Sequence, residues 1–298
     1  ADWLKEAVCY QIFPDRFHRG EESDQVIEET SLASWGARPT TKNHFGGNIK
    51  GITEKIPYLK ELGVTLLYFT PLFTSSSNHK YNTKDYLEID PRFGSLKETK
   101  ELVRLCHEAG IRVVFDAVFN HTGHDFFAFQ DVLEKGEESE YADWFHIDSY
   151  PVSLAKANYY TFANRVSYMP KVNLKNQGIR EYFLKVAKYW IREVGIDGYR
   201  LDVCDELSHD FLKDLRKAVK EEKEDAVLIG EIMHEAETFL DGTELDSIMN
   251  YPFRHAMVDT FAREELSLSE FFQVLLKNQV LYREDITAQM LNLLGSHD

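Results

Sequence analysis

The chain has 298 residues, enough for one large domain or two small ones, and its 43% hydrophobic and 13% aromatic content with only 8 Pro and 16 Gly excludes a disordered or collagenous chain. Its 34 Lys plus Arg against 50 Asp plus Glu leave a net charge of −16, so phosphate backbones and anionic lipid repel it, and neither nucleic acid nor a membrane is an expected partner. Cys9, Cys106 and Cys204 are odd in number and far apart, which points to reduced thiols; with no basic-then-apolar leader and no apolar run near the ~18 residues of a bilayer span, a cytoplasmic location is expected.

Residues 8–13 read as a buried strand. Ile52, Ile56, Leu59 and Leu62 follow at helical spacing and stop at Gly63, and 64–70 is a dense apolar strand. Ser95 and Glu98 form a capping box that opens a helix through Val103 and Cys106, closed by Gly110, and 111–119 is the next strand. Residues 121–173 break the rhythm with an aromatic and polar stretch, which reads as an inserted subdomain. Ile179, Phe183, Val186, Ala187, Trp190 and Ile191 then form a helical stripe ended by Gly195. A strand at 199–203, a helix through Phe211, Leu212, Leu215 and Val219, and a strand at 226–229 come next. A short strand around Ile248, a helix through Phe271, Leu275 and Leu276, and a strand at 291–294 complete the series. Buried strands alternating with helices mean parallel βα units, and both an open doubly wound sheet and a (β/α)8 barrel fit.

In a barrel the chemistry sits at the C-terminal ends of the strands. Four strands end in carboxylates: Asp116, three residues before Phe119; Asp202; Glu231, after Gly230; and Asp298, after Gly295-Ser-His. His121 and His297 stand beside two of them. Arg200 and Asp202, two apart on one strand, face the same side, so the arginine is expected to keep Asp202 ionised. Glu231, near other carboxylates, is expected to hold its proton. An ionised nucleophile beside a protonated acid is what a retaining glycosidase needs, with the two carboxyls about 5–5.5 Å apart.

These residues resemble the alpha-amylase family of glycoside hydrolases: 116–121 is similar to its first signature, 198–202 to its second, Glu231 to its third and His297-Asp298 to its fourth. The resemblance implies an α/β fold, a (β/α)8 TIM-type barrel that here lacks its eighth βα unit and carries an inserted subdomain after the third strand. The expected division is barrel at 1–120, subdomain at 121–173, and barrel strands four to seven at 174–298, with the C-terminal remainder absent and Asp298 marking a cut chain. It implies Asp202 as nucleophile, Glu231 as general acid and base, and Asp298 as the carboxylate gripping the sugar hydroxyls. It places Tyr81, Asp116, His121, Arg200, His234 and His297 at the substrate. Met169-Pro-Lys-Val-Asn173 is similar to the signature of the cyclomaltodextrinase, neopullulanase and maltogenic amylase branch. That implies cyclomaltodextrins, maltooligosaccharides or pullulan as substrates, with hydrolysis or transglycosylation, and leaves the oligomeric state open.

Met233 stands where that branch usually has Trp. No cofactor is required for the chemistry. A loop with Glu21 and Asp24, completed by Gly46 and Asn48, resembles a structural calcium site of some relatives, but Arg19 stands where an amide ligand belongs, and its cation opposes calcium. The alternative is an inactive amylase-like binding or scaffold protein, or an inactive truncated fragment. An open-sheet enzyme for phosphates or dinucleotides lacks its glycine fingerprint, since no GxGxxG follows a strand.

Overall fold

The computed structural model describes residues 1–28 and 31–297. The strands are β1 (Cys9–Ile12), β2 (Leu66–Phe69), β3 (Phe73–Ser75), β4 (Thr83–Ile89), β5 (Arg112–Ala117), β6 (Gly198–Leu201), β7 (Val227–Gly230) and β8 (Ser247–Ile248). The helices are α1 (Ile49–Glu54), α2 (Ile56–Glu61), α3 (Leu96–Glu108), α4 (Phe127–Lys135), α5 (Gln177–Val194), α6 (His209–Glu222), α7 (Tyr251–Phe261), α8 (Leu268–Leu281) and α9 (Glu284–Thr287).

Six strands pair in parallel in the order β1-β2-β5-β6-β7-β8. Each strand lies beside the next one of the series with no reversal of order. A doubly wound sheet reverses at its switch point and a (β/α)8 barrel does not, so the topology is that of the barrel. Strand alternation places Leu66, Tyr68, Val114, Val227 and Ile229 in one buried cluster with Met249, the inside of the barrel. Leu67, Phe69, Val113, Phe115 and Leu228 face the helices instead. Gly198 has φ +144, and a Cβ there would stand 2.1 Å from the Val227 carbonyl oxygen, so the close approach of β6 to β7 admits only glycine.

Caps follow the sequence signals. Ser95 and Glu98 complete the capping box of α3, Asn176 caps α5, and Gly195 ends α5 in the left-handed conformation. The α5 stripe is buried along its whole length, and each fully buried large apolar side chain contributes about 1.5–3 kcal/mol. Trp190 on that stripe stacks on Phe73 at 4.8 Å and gives its indole N–H to the Tyr86 carbonyl at 2.8 Å, docking the antiparallel hairpin β3–β4 against α5. The hairpin matters because the turn joining its strands carries Tyr81.

One expectation is corrected. The strand at 291–294 is reduced to one parallel bridge, Leu291 to Met249, because β8 offers only two residues of ladder before Asn250 caps α7. The hairpin and the helices α4, α7 and α9 were not foreseen. Between β5 and α5 the chain forms α4 and a set of antiparallel bridges, among them Phe145 with Val172 and Thr161 with Pro170. Cys9, Cys106 and Cys204 are all free, and among the described residues no helix is long and apolar enough to cross a membrane.

At the N-terminal end of β6, Asp197 is fully buried. It accepts from His107 Nε2 (2.7 Å), Lys223 Nζ (2.7 Å), Val113 N–H (2.8 Å) and Arg112 Nη1 (3.0 Å). Burial opposes its charge, but the bonds from His107, Lys223 and Val113 outweigh it and hold the carboxyl below its ordinary value. A depressed carboxyl gives stability that is complete above the unfolded value near 4 and is lost as pH falls through the folded one. Asp197→Asn is therefore expected to cost about 3–5 kcal/mol in urea unfolding at neutral pH. It should also flatten the acid limb of the stability curve relative to the parent chain.

Candidate active site

The barrel register builds the centre of the site. Asp116 on β5 pairs with Arg200 on β6, and Arg200 with Ile229 on β7, so Asp116, Arg200 and, two residues on, Asp202 and Glu231 fall on the inner face. Arg200 is 1% exposed and lies among three carboxylates. Its Nη1 is 3.0 Å from both Asp116 oxygens and 3.0 Å from Asp202 Oδ1; its Nη2 is 2.8 Å from Glu231 Oε1, an ion pair that lies off the N–H direction. Burial opposes the Arg200 charge, but Asp116 and Asp202 raise it well above its ordinary value, so the guanidinium is a fixed cation.

Asp116 accepts from the Tyr68 hydroxyl at 2.5 Å and the Tyr81 hydroxyl at 2.8 Å, both on Oδ2. His297 continues the network. Its Nδ1 lies 2.6 Å from Gln11 Nε2, its Nε2 2.7 Å from the Tyr81 hydroxyl, and its ring stacks on Tyr81 at 5.5 Å. With the Gln11 amide nitrogen donating to Nδ1 and the Tyr81 hydroxyl donating to Asp116, the His297 proton sits on Nε2. His121 is buried, and burial pushes its imidazole down to about 3, so it is neutral. Its Nε2 faces the Tyr81 carbonyl at 3.1 Å and lies 4.0 Å from Asp202 Oδ2.

The electrostatics differ from the expectation at Asp202. Arg200 does not hold that carboxyl down. Burial raises it well above its ordinary value, Asp116 and Glu231 raise it further, and Arg200 opposes them while shared among three carboxylates. Three buried carboxylates thus crowd around one guanidinium.

Val203 separates the strand end from the next turn at φ 46 and ψ 48, the left-handed region, where a β-branched residue costs roughly 1–3 kcal/mol. In that conformation its N–H reaches Glu231 Oε2 at 2.9 Å, and Cys204 N–H reaches the Glu231 carbonyl at 3.1 Å. The strained residue thus ties the strand that leads to Asp202 to the one that leads to Glu231. Nothing in the sequence signals it, since valine does not mark a left-handed position.

Asp202 and Glu231 open into a cavity of about 520 Å³, lined by His79, Tyr81, His121, Phe162, Tyr168 and Met233. That size and its mix of aromatic walls with a few convergent polar groups suit a small ligand. A larger open groove of about 910 Å³ runs along α5 and α6 on the outside of the barrel, where its charges, such as Arg180 with Asp214 and Lys188 with Glu221, pair with one another. Asp202, Glu231, Tyr81, Asp116, His121, Arg200 and His297 are brought together. Asp298 lies outside the described residues. His234 stands apart at the rim, exposed, with Nε2 3.1 Å from Asp205 and Nδ1 2.7 Å from the Glu235 carbonyl, both of which raise its basicity. Tyr68, Gln11, His79 and Phe162 were missed. Tyr68 could have been found, being the one hydroxyl-bearing aromatic within the strand at 64–70 and on the face of the inward-pointing positions.

In the loop that resembles a calcium site, the polar groups are taken up by other bonds, and the residues present do not fit the ion. Asn48 Oδ1 accepts from Gly20 N–H and Gly51 N–H, Asp24 accepts from the Ser95 hydroxyl, and the Gly46 carbonyl accepts from Gln25 Nε2. Only the exposed Glu21 side chain remains of the four, and among the described residues no group of three or more His, Cys, Asp or Glu could hold a metal ion. Asn48 works instead as the N-cap of α1.

Residues 11–298 match the family model described as alpha amylase, catalytic domain. The chain is 46% identical over its whole length to a cyclomaltodextrinase of Thermoanaerobacter pseudethanolicus, covering 51% of that protein. It is 47% identical over its whole length to neopullulanase 2 of Thermoactinomyces vulgaris, again covering 51%. Among solved structures, cyclic alpha-maltosyl-(1→6)-maltose hydrolase from Arthrobacter globiformis, in complex with cyclic alpha-maltosyl-(1→6)-maltose, superposes with a TM-score of 0.95 at 38% identity, over 100% of this chain and 66% of that one. The chain thus spans about half the length of the curated relatives it matches.

Proposed function

Since the chain belongs to the alpha-amylase family, we propose that it is the catalytic part of a retaining glycoside hydrolase that cleaves α-glucosidic bonds in maltooligosaccharides, cyclomaltodextrins or pullulan. The observation that carries this is the buried guanidinium of Arg200 in contact with Asp116, Asp202 and Glu231, the latter two facing one cavity. Glu231 gives its proton to the glycosidic oxygen while Asp202 attacks the anomeric carbon. Water, or a second sugar, then resolves the glycosyl-enzyme with Glu231 as base. Tyr81, stacked against His297, presents a ring face to the glucose, and Asp298 takes the role of the third carboxylate. No cofactor enters these steps. The same reading carries the domain division, with 121–173 as a subdomain between two barrel segments, and a reducing compartment for the free thiols.

The test is product analysis on β-cyclodextrin, pullulan and maltotriose, with the anomer of the first product followed by proton NMR. Release of the α-anomer is expected. Release of the β-anomer first, or no sugar from any of the three, would overturn the proposal.

A further inference from the structure

The turn between β3 and β4 carries two rings that line the cavity, His79 and Tyr81, which stack on each other at 6.0 Å. Lys80 between them points the other way. Its side chain is 2% exposed, and its ammonium is 2.7 Å from Asp90 Oδ2 and 3.1 Å from the Ser75 carbonyl, with the Phe93 ring 5.4 Å beneath. Lysine is almost never fully buried unless paired, and an apolar side chain of the same volume would fill this space without the cost of desolvating an ammonium. A buried ion pair is a weak source of stability. Its attested use is to select one conformation among several.

The backbone shows which conformation is selected. Lys80 has φ +67, a region that glycine or asparagine takes more readily. Its N–H is held by Ser77 Oγ at 2.9 Å, and Tyr81 N–H by His79 Nδ1 at 3.1 Å. Asp90 is fixed in turn, accepting from Ser75 N–H at 3.0 Å and Arg92 N–H at 2.9 Å. With the Lys80 side chain pinned inward on β4's end, the residues on either side are forced outward as a pair, and the Tyr81 hydroxyl meets Asp116.

We propose that Lys80 is a positioning residue, whose buried contact with Asp90 fixes the turn so that His79 and Tyr81 face the sugar. The proposal rests on the reading of the cavity as a glucan site, though its placement of Tyr81 is measurable without any sugar. Lys80→Met keeps the length of the side chain and removes the cation. Below its melting temperature it should lower kcat/KM on maltotriose roughly tenfold or more, as expected when a binding group is displaced by about an ångström. In a Tyr81→Ala background the same substitution should cost less than it does in the parent, because its effect passes in large part through that ring. In sugar-free protein carrying 13C-labelled tyrosine, the Tyr81 signal, assigned by its loss in Tyr81→Ala, should move or broaden. Should Lys80→Met fail to fold, Lys80→Arg keeps the charge with a displaced head and is read by the same two measurements. A variant that melts earlier while kcat/KM and the Tyr81 signal stay unchanged would overturn the proposal, as would losses that multiply in the double variant. If the parent chain releases no sugar, the glucan reading fails, and the tyrosine signal alone still decides whether Lys80 places Tyr81.

Discussion

Asp202→Asn and Glu231→Gln are each expected to reduce sugar release from maltotriose by roughly four orders of magnitude or more, the scale of removing a nucleophile or its proton partner. The Asp202 variant should at the same time melt at a higher temperature than the parent at neutral pH. The sign follows from its raised carboxyl. Between the unfolded value near 4 and the raised folded value, the native chain binds more protons than the unfolded one, so stability falls as pH rises through that window. Above the window the full penalty is in place, and asparagine carries none of it. Below pH 4 both forms of the parent are protonated and the advantage of the variant should vanish. Thermal scans of parent and variant across pH 3–8, with activity assays on the same samples, check both parts. Equal melting temperatures at every pH would mean that Asp202 is not strained by its neighbours.

Arg200→Leu should be the most damaging single change to the fold. It leaves Asp116, Asp202 and Glu231 buried without their shared cation. Removing one partner of a buried pair costs about 3–5 kcal/mol, and here one guanidinium serves three carboxylates. The loss should shrink as pH falls, because the orphaned carboxylates take up protons in the folded state. Urea unfolding at pH 7.5 and pH 5 measures this directly. A destabilisation independent of pH would trace to lost packing alone, for instance against the Tyr68 and Tyr81 rings that the guanidinium overlies.

The barrel was legible because its strands are buried on both faces, so stretches such as Leu66–Phe69 read as unbroken apolar runs. The β3–β4 hairpin was not legible, because Phe73–Ser75 is three residues long and Thr83–Ile89, with Lys84 beside Asp85 and Tyr86 beside Leu87, lacks the alternation of a half-buried strand. The run at 291–294 misled for the opposite reason. It is apolar enough for a strand, but a strand also needs a ladder, and β8 supplies two residues. At the site, residue types at strand ends located Asp116, Arg200, Asp202 and Glu231. What they could not give was the sharing of Arg200, which reverses the expected charge balance at Asp202. The left-handed backbone of Val203 and the inward turn of Lys80 were equally hidden, since both depend on neighbours brought together only by the fold.

The central claim is that Asp202 attacks the sugar. Incubation with 5-fluoro-α-D-glucosyl fluoride, followed by peptide mass spectrometry, tests it most directly, because the fluorine slows release of the covalent intermediate. A single fluoroglucosyl group on the peptide containing Asp202, absent from Asp202→Asn, is the predicted result. Labelling of another carboxylate, or unlabelled protein that still turns over maltotriose, would contradict it.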